Sequence, residues 1–181
     1  LDLTGGHGDL AGMLLGDMGA AVIKVEPPGG SAGRGEPPFL DGGPEHGRSL
    51  PFFAFNRNKQ GITLDLETEA GQNALKGLVE TADFLFESGQ PATLDSLGLG
   101  FDVLKEINPR IIHVAISAYG LDGPYADYPA SDLTIAAMGG PMSLQGVPDR
   151  APVRISVPQV WLHAGSEAAT AALIAHALML R

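Results

Sequence analysis

Two apolar segments near the start of the chain are separated by enough residues for one helix and no more. LDLT at residues 1–4 predicts a short buried strand, and AVIKVE at residues 21–26 predicts a second one. Between them, apolar residues recur at the spacing of one helical face, at Ala11, Leu14, Leu15 and Met18. Strands joined by a helical crossover run parallel, whereas a tight turn joins antiparallel ones. The first 26 residues therefore predict a βαβ unit and a parallel sheet.

The same alternation continues to the end of the chain. Further strands are predicted at ITLDL (62–66), DFLFES (83–88), IIHVAIS (111–117) and VRISV (153–157). Helices are predicted after Thr68, as two short segments within residues 93–110, from Ser131 to Ser143 and after Pro158, whereas residues 27–51 predict a long surface loop. Alternating strands and helices favour an α/β fold. We expect an open, mainly parallel Rossmann-like sheet flanked by helices, with the strands at Leu1, Ala21, Ile111 and Val153 buried.

Composition excludes several classes of function. The chain has no cysteine, so it forms neither disulfides nor a thiolate metal site. A net charge of −10 argues against nucleic acid as a partner. Its apolar stretches fall short of the roughly 20 residues that a membrane span needs. We therefore expect a cytoplasmic protein with no membrane partner.

Four of the eleven basic residues lie close together in sequence, at Arg34, Arg48, Arg57 and Lys59. Such a patch on an acidic protein can hold an anionic ligand locally. Ordinary solubilising surface charge is the alternative.

The glycine-rich segment GGHGDLAG follows the first strand and partly matches a dinucleotide-binding loop. The pattern G-x-G-x-x-G fails at its last position, where Gly6 and Gly8 are followed by Ala11. Glu26 lies at about the distance expected of an acidic ribose ligand. The alternative is a strand-to-helix turn that needs glycine for close packing.

The five histidines, His7, His46, His113, His163 and His176, show no metal-binding spacing. His113 lies in an apolar strand and His176 in the terminal helix, so both are expected to pack. His7 and His163 lie at strand-to-helix turns, where α/β folds place their chemistry.

Four segments occur together in the order and spacing of one known family. They are LDLT with AGMLLGDMGAAVIKVEPPGG, FFAFNRNKQGITLDL, LGLGFDVLKEINPRIIHVAISAYGLDGPYAD and SDLTIAAMGGPMSLQG. On these motifs the whole sequence, residues 1–181, resembles the N-terminal portion of the large domain of class III CoA-transferases. That family includes formyl-CoA transferase, carnitine CoA-transferase and α-methylacyl-CoA racemase.

The resemblance implies a longer protein with a second, smaller domain, of which this chain is a fragment. It implies coenzyme A or an acyl-CoA as substrate and no permanently bound cofactor. It also implies an interlocked homodimer or, in fused members, a tandem-domain partner. Transferases of the family form an acyl anhydride on an aspartate, and racemases move the α-proton with a histidine and an aspartate.

Three positions depart from the chemistry that the resemblance implies. Trp161 stands where the family has its catalytic aspartate, and an indole cannot attack an acyl carbonyl. The racemase histidine is Ser131, although Asp132 beside it is kept, and the transferase glutamine is His7. No residue is therefore a firm catalytic candidate, and His7, His163 and Asp132 remain weak ones.

The implied CoA contacts are partly kept. Arg34 and Lys59 match the basic residues that would face the CoA phosphates. The segment that flanks the adenine in the family has lost its asparagine and aromatic residue, and reads Glu87-Ser88-Gly89-Gln90-Pro91-Ala92 here.

Three interpretations remain open. The chain is a catalytically degenerate half of a larger CoA-dependent enzyme, or an active acyl-CoA transferase or racemase with a rewired acid–base site, or a non-catalytic scaffold that binds CoA or a nucleotide.

Overall fold

The computed structural model describes residues 1–40, 48–89 and 93–181, and five strands in these ranges form one sheet. The strands are β1 (Asp2–Leu3), β2 (Ile23–Glu26), β3 (Gln60–Thr63), β4 (Phe84–Ser88) and β5 (Ile112–Ile116). Every pair of neighbours is parallel, and the order across the sheet is β3-β2-β1-β4-β5. The predicted α/β class and the parallel βαβ unit at the N-terminus are therefore confirmed.

Seven helices within the described ranges connect or follow these strands. They are α1 (Asp9–Asp17), α2 (Leu50–Asn56), α3 (Glu69–Val79), α4 (Thr93–Ser96), α5 (Phe101–Ile107), α6 (Asp132–Met138) and α7 (Val160–Met179). One of them, α2, was not predicted, because its start lies in the segment predicted as a surface loop. Short 3₁₀ turns cover Ala32–Gly35 and Pro141–Leu144. The predicted cap of α3 is confirmed, because the Thr68 hydroxyl accepts the N–H of Gly71 at 3.1 Å.

Two apolar clusters lie on opposite faces of the sheet. Successive side chains of a strand point to opposite faces, so Phe86 of β4 packs with α1 and α7 while Leu85 packs with α3 and α5. Both residues are almost completely buried. The sheet is consequently covered by helices on both sides, as a buried parallel sheet requires.

The strand predicted at residues 153–157 is wrong. This segment has no regular secondary structure, and Val153, Ile155 and Val157 are 52%, 39% and 54% exposed. The alternating apolar residues satisfy the pattern of a strand, but the segment pairs with none of the five strands and instead borders α6 and the start of α7.

The helix predicted from Ser131 to Ser143 is shorter than expected. It ends at Met138, and Gly140 then adopts a left-handed conformation with φ of +96°. Pro141 follows and starts a 3₁₀ turn, so the apolar periodicity continues through two separate elements.

The order of the strands fixes where a site can form. Chain order reverses between β1 and β4, and ligands of open α/β sheets bind at the carboxyl ends of strands at such a reversal. The loop between β1 and α1, which carries His7, begins at this point.

Candidate functional site

Two aromatic side chains from distant parts of the sequence stack at the carboxyl end of the sheet. His7 lies in the loop between β1 and α1, and Trp161 is the second residue of α7. Their ring centroids are 4.2 Å apart and their planes are inclined by 5°. Two of the three positions that depart from the family's chemistry are therefore in direct contact.

The indole of Trp161 is half-buried, and it packs against the apolar cluster formed by α1, α7 and the sheet. The exposed imidazole of His7 stacks on it. Trp161 is thus both a neighbour of the core and half of a surface stack. The resemblance implies an aspartate that carries the acyl group in the first turn of α7. At that position this chain has the indole of Trp161, which the ring of His7 covers.

The carboxylate of Asp132 accepts hydrogen bonds from two backbone amides at the start of α7. Its Oδ1 accepts the backbone N–H of Gln159 at 2.8 Å and that of Val160 at 3.0 Å. Its Oδ2 lies 3.2 Å from Nη1 of Arg154. The carboxylate, predicted as a weak acid–base candidate, is therefore engaged through both oxygens.

His163 has an exposed side chain on another side of α7. It borders a mainly apolar cavity of about 120 Å³, which Asp132, Met142, Ile155 and Val160 also line. Trp161 does not line this cavity. The structure therefore groups the sequence candidates into two sets, His7 with Trp161 and Asp132 with His163.

A buried network of four charged side chains lies beside the loop that carries His7. The ammonium of Lys24 lies 3.1 Å from Oδ1 of Asp2 and 2.5 Å from Oδ1 of Asp9, and it also donates to the carbonyl oxygen of Thr4. The ammonium of Lys59 lies 2.7 Å from Oδ2 of Asp2. Two carboxylates and two ammonium groups balance in charge, which a site closed to water requires.

Lys24, Asp2 and Asp9 were not predicted as site residues from the sequence. A signal was available, because Asp2 and Lys24 are charged residues inside otherwise apolar strand segments, and parallel pairing places them side by side. Burial alone would raise the pKa of Asp2, but the ammonium groups of Lys24 and Lys59 hold that pKa below its usual value.

Lys59 donates three hydrogen bonds within the protein: to Oδ2 of Asp2 at 2.7 Å, to the carbonyl oxygen of Asp9 at 2.7 Å and to Oδ1 of Asn56 at 2.8 Å. An ammonium group has three N–H donors, so none is left over. Burial lowers the pKa of Lys59, and the ion pair with Asp2 opposes that shift. All three donors of Lys59 are thus engaged within the protein, and its contact with a CoA phosphate stays a prediction.

Arg34 is more accessible, with 39% of its side chain exposed. Its Nε and Nη2 donate to the two carboxylate oxygens of Glu26 at 2.6 and 2.7 Å, and its guanidinium lies 4.2 Å from the ring centroid of Phe52. The hydrogen bond from Arg34 holds the pKa of Glu26 below its usual value. Because Glu26 also accepts the N–H of Ser31 at 2.9 Å, its carboxylate is engaged within the protein rather than open to a ribose.

The glycines after β1 allow close packing. A Cβ on Gly8 would lie 2.6 Å from Cγ2 of Thr4 and 3.0 Å from Cδ1 of Ile116. Thr4 is buried and its hydroxyl donates to Oδ1 of Asp2 at 2.6 Å, so it cannot easily move. These contacts support the packing interpretation of GGHGDLAG over the dinucleotide one.

The segment that should flank an adenine is described only in part. The N–H of Gly5 donates to the hydroxyl of Ser88 at 2.9 Å, which ties the end of β4 to the loop after β1. Gln90, Pro91, Ala92 and His46 lie outside the described residues.

The two histidines that were expected to pack do so. Nε2 of His113 lies 2.7 Å from Oε1 of Glu87, and its ring stacks 6.0 Å from that of Phe101. The ring of His176 lies 5.5 Å from that of Phe84.

The described ranges contain neither a cluster of metal ligands nor a helix that could span a membrane. Within residues 1–40, 48–89 and 93–181, no cluster of three or more histidine or acidic side chains could hold a metal ion. No helix in that part of the chain combines the length and apolar character needed to cross a bilayer.

Comparison with known proteins identifies the class. The sequence model of CoA-transferase family III matches residues 1–180, so the chain belongs to that family. It is 37% identical over 175 residues to the succinyl-CoA:(R)-benzylsuccinate CoA-transferase subunit BbsE of Thauera aromatica, covering 97% of this chain and 43% of that protein. It is 41% identical over 169 residues to the succinyl-CoA–D-citramalate CoA-transferase of Chloroflexus aurantiacus, covering 93% and 41%.

A solved structure agrees with this assignment. The crystal structure of a CAIB/BAIF family protein from Brucella suis superposes with a TM-score of 0.89 at 38% identity, over 99% of this chain and 48% of that one. The chain thus spans less than half the length of these relatives.

Proposed function

We propose that this chain forms part of a protein of CoA-transferase family III that handles acyl-CoA thioesters, and that it does not itself carry the acyl group. The observation behind the proposal is the stack of His7 on Trp161 at the first turn of α7. A transferase needs an accessible nucleophile at this position, and a stacked indole is neither accessible nor nucleophilic.

The remaining candidates offer little support for a rewired site. Both oxygens of Asp132 are engaged by α7 and Arg154. His163 lines a cavity that neither His7 nor Trp161 borders, so it is poorly placed to act with His7. A rewired transferase or racemase remains the second candidate, because His7 and His163 are both exposed.

The simplest arrangement pairs this chain with a second domain or subunit that carries the catalytic aspartate. One relative, BbsE, is named as a subunit of its transferase, which supports a multi-chain or multi-domain arrangement. We propose a tandem-domain partner, in the cytoplasm, for this role, because in an interlocked homodimer of this chain both copies would carry Trp161 in place of the aspartate. Within that assembly this chain would supply shape and one wall of the site.

Thioester exchange tests the proposal directly. The 181-residue chain is incubated with an acyl-CoA and a panel of free acids, and hydroxylamine traps any acyl-enzyme. We expect no exchange and no adduct, with an aspartate-bearing family member as the positive control. Turnover with an adduct on His7 or His163 would establish the rewired site instead.

Binding of CoA is measured separately by calorimetry. We propose that Arg34 contacts a CoA phosphate, because its side chain is partly exposed and its guanidinium suits that anion. Loss of one charge-assisted contact should weaken binding about tenfold or more in Arg34→Ala. Arg57→Ala removes an arginine from the same basic stretch and serves as the control for net charge. Equal affinity in both variants would reject the assignment.

A further inference from the structure

The helix that carries Trp161 has no cap of its own. The residue before its first turn, Gln159, makes no side-chain capping bond, and Pro158 before it has no N–H to donate. The first amide donors of a helix need acceptors from elsewhere. Here the N–H groups of Gln159 and Val160 both donate to Oδ1 of Asp132, which lies on α6.

Asp132 is itself held in a fixed position. The preceding residue, Ser131, forms a capping box with Thr134: the Ser131 hydroxyl accepts the Thr134 N–H at 3.2 Å, and the Thr134 hydroxyl accepts the Ser131 N–H at 2.9 Å. The hydroxyl of Tyr119 donates to the same Thr134 hydroxyl at 2.9 Å. The start of α6 is thus anchored before its carboxylate reaches α7.

We infer that Asp132 is a positioning residue, which caps α7 from α6 and thereby holds Trp161 against His7. Trp161 follows directly after the two amides that the carboxylate binds. If those amides lose their acceptor, the first turn of α7 opens and its indole leaves the stack. This inference does not depend on the proposed transferase role, since it concerns only how the aromatic pair is held.

Three substitutions and one control variant distinguish the capping role of Asp132 from the effect of its charge. Asp132→Ala removes the acceptor, whereas Asp132→Asn keeps an oxygen that can accept the same N–H groups, and asparagine caps helices about as well as aspartate. Arg154→Gln removes the ion pair and leaves the carboxylate in place. Asp127→Ala changes an exposed aspartate in the preceding loop and is the control for lost negative charge.

Trp161 is the only tryptophan in the chain, so its emission reports on this position alone. Loss of a capping acceptor should make opening of the first turn about fivefold more frequent. We expect red-shifted emission and stronger acrylamide quenching in Asp132→Ala. Asp132→Asn, Arg154→Gln and Asp127→Ala should match the unmodified chain, because each retains an acceptor for the two amides.

Unchanged emission and quenching in Asp132→Ala would overturn the inference, as would an Asp132→Asn signal equal to that of Asp132→Ala. Should Asp132→Ala fail to fold, hydrogen exchange of the unmodified chain decides. The amides of Gln159 and Val160 should exchange slowly and should remain slow in Asp132→Asn. Exchange as fast as that of an open loop would refute the cap.

Discussion

Replacement of Lys24 by methionine tests the buried charge network most directly. The side chain of Lys24 is 2% exposed, and its ammonium lies between the carboxylates of Asp2 and Asp9. Methionine has a similar length and fills the same space without a charge. Asp2 would then keep Lys59 as its ionic partner, whereas Asp9 would lose the ammonium and keep the neutral amide of Asn56 as a hydrogen-bond donor.

The size of the effect follows from the burial. Removing one partner of a buried ion pair leaves an uncompensated charge and destabilises by about 3–5 kcal/mol. A domain of this size loses about 2–4 °C of melting temperature for each kcal/mol. The variant should therefore melt about 6–20 °C below the unmodified chain.

An exposed ion pair supplies the matched control. Nη2 of Arg57 lies 2.7 Å from Oδ2 of Asp17, but the two side chains are 53% and 44% exposed. Such a pair contributes at most about 1 kcal/mol, so Arg57→Met should melt within a few degrees of the unmodified chain. Melting is followed by circular dichroism at neutral pH. If Lys24→Met and Arg57→Met melt at the same temperature, the buried charge network contributes no more stability than the exposed ion pair.

Three further predictions concern the loop after β1 and its surroundings. Gly8→Ala should destabilise by about 1–3 kcal/mol through overpacking, whereas Gly77→Ala, whose added Cβ meets nothing within 4 Å in α3, should stabilise by up to about 1 kcal/mol; thermal melts compare them. Because the folded-state pKa of Glu26 lies below its ordinary 4.5, its contribution to stability should be lost as the pH falls below that value, and Glu26→Gln should flatten this part of the acid unfolding curve. If the unmodified chain and Glu26→Gln lose stability equally as the pH falls, the ion pair of Glu26 does not contribute to stability as expected. His7→Ala should expose Trp161, with increased acrylamide quenching, and unchanged quenching would mean that the stack does not form in solution.

The parallel sheet could be predicted because it depends on local patterns. Predicted helices separate β1 from β2, β3 from β4 and β4 from β5, and a connection of that kind implies a parallel crossover. The connection between β2 and β3 was predicted as a loop, although it contains α2. The segment at residues 153–157 shows where this reasoning fails. Its pattern of alternating apolar residues is that of a strand, but whether a strand forms depends on an available sheet edge, which the sequence does not reveal.

The candidate site was less predictable because its contacts join distant residues. The position of His7 at a strand-to-helix turn indicated the right end of the sheet, whereas within the described residues no strand directly precedes the helix that carries Trp161. Their stacking could not be read from sequence, since it depends on the approach of α7 to the loop after β1. Likewise, Lys59 was expected at a phosphate because its motif resembles that of the family, whereas its three bonds place it in the buried network.

The contact between His7 and Trp161 affects which substitutions would be needed to restore a catalytic aspartate at position 161. Both residues replace polar ones that the family resemblance implies, and their rings lie face to face rather than merely near each other. The indole also packs against the apolar cluster between α1 and α7. Trp161→Asp alone would set a carboxylate beside that apolar cluster, where burial disfavours its charge, and would leave His7 where the resemblance implies a glutamine. We therefore expect transfer activity to stay absent in Trp161→Asp, and to require at least His7→Gln in addition. Thioester exchange with hydroxylamine trapping checks this, and an acyl adduct on the single variant would show that the pocket needs only its nucleophile.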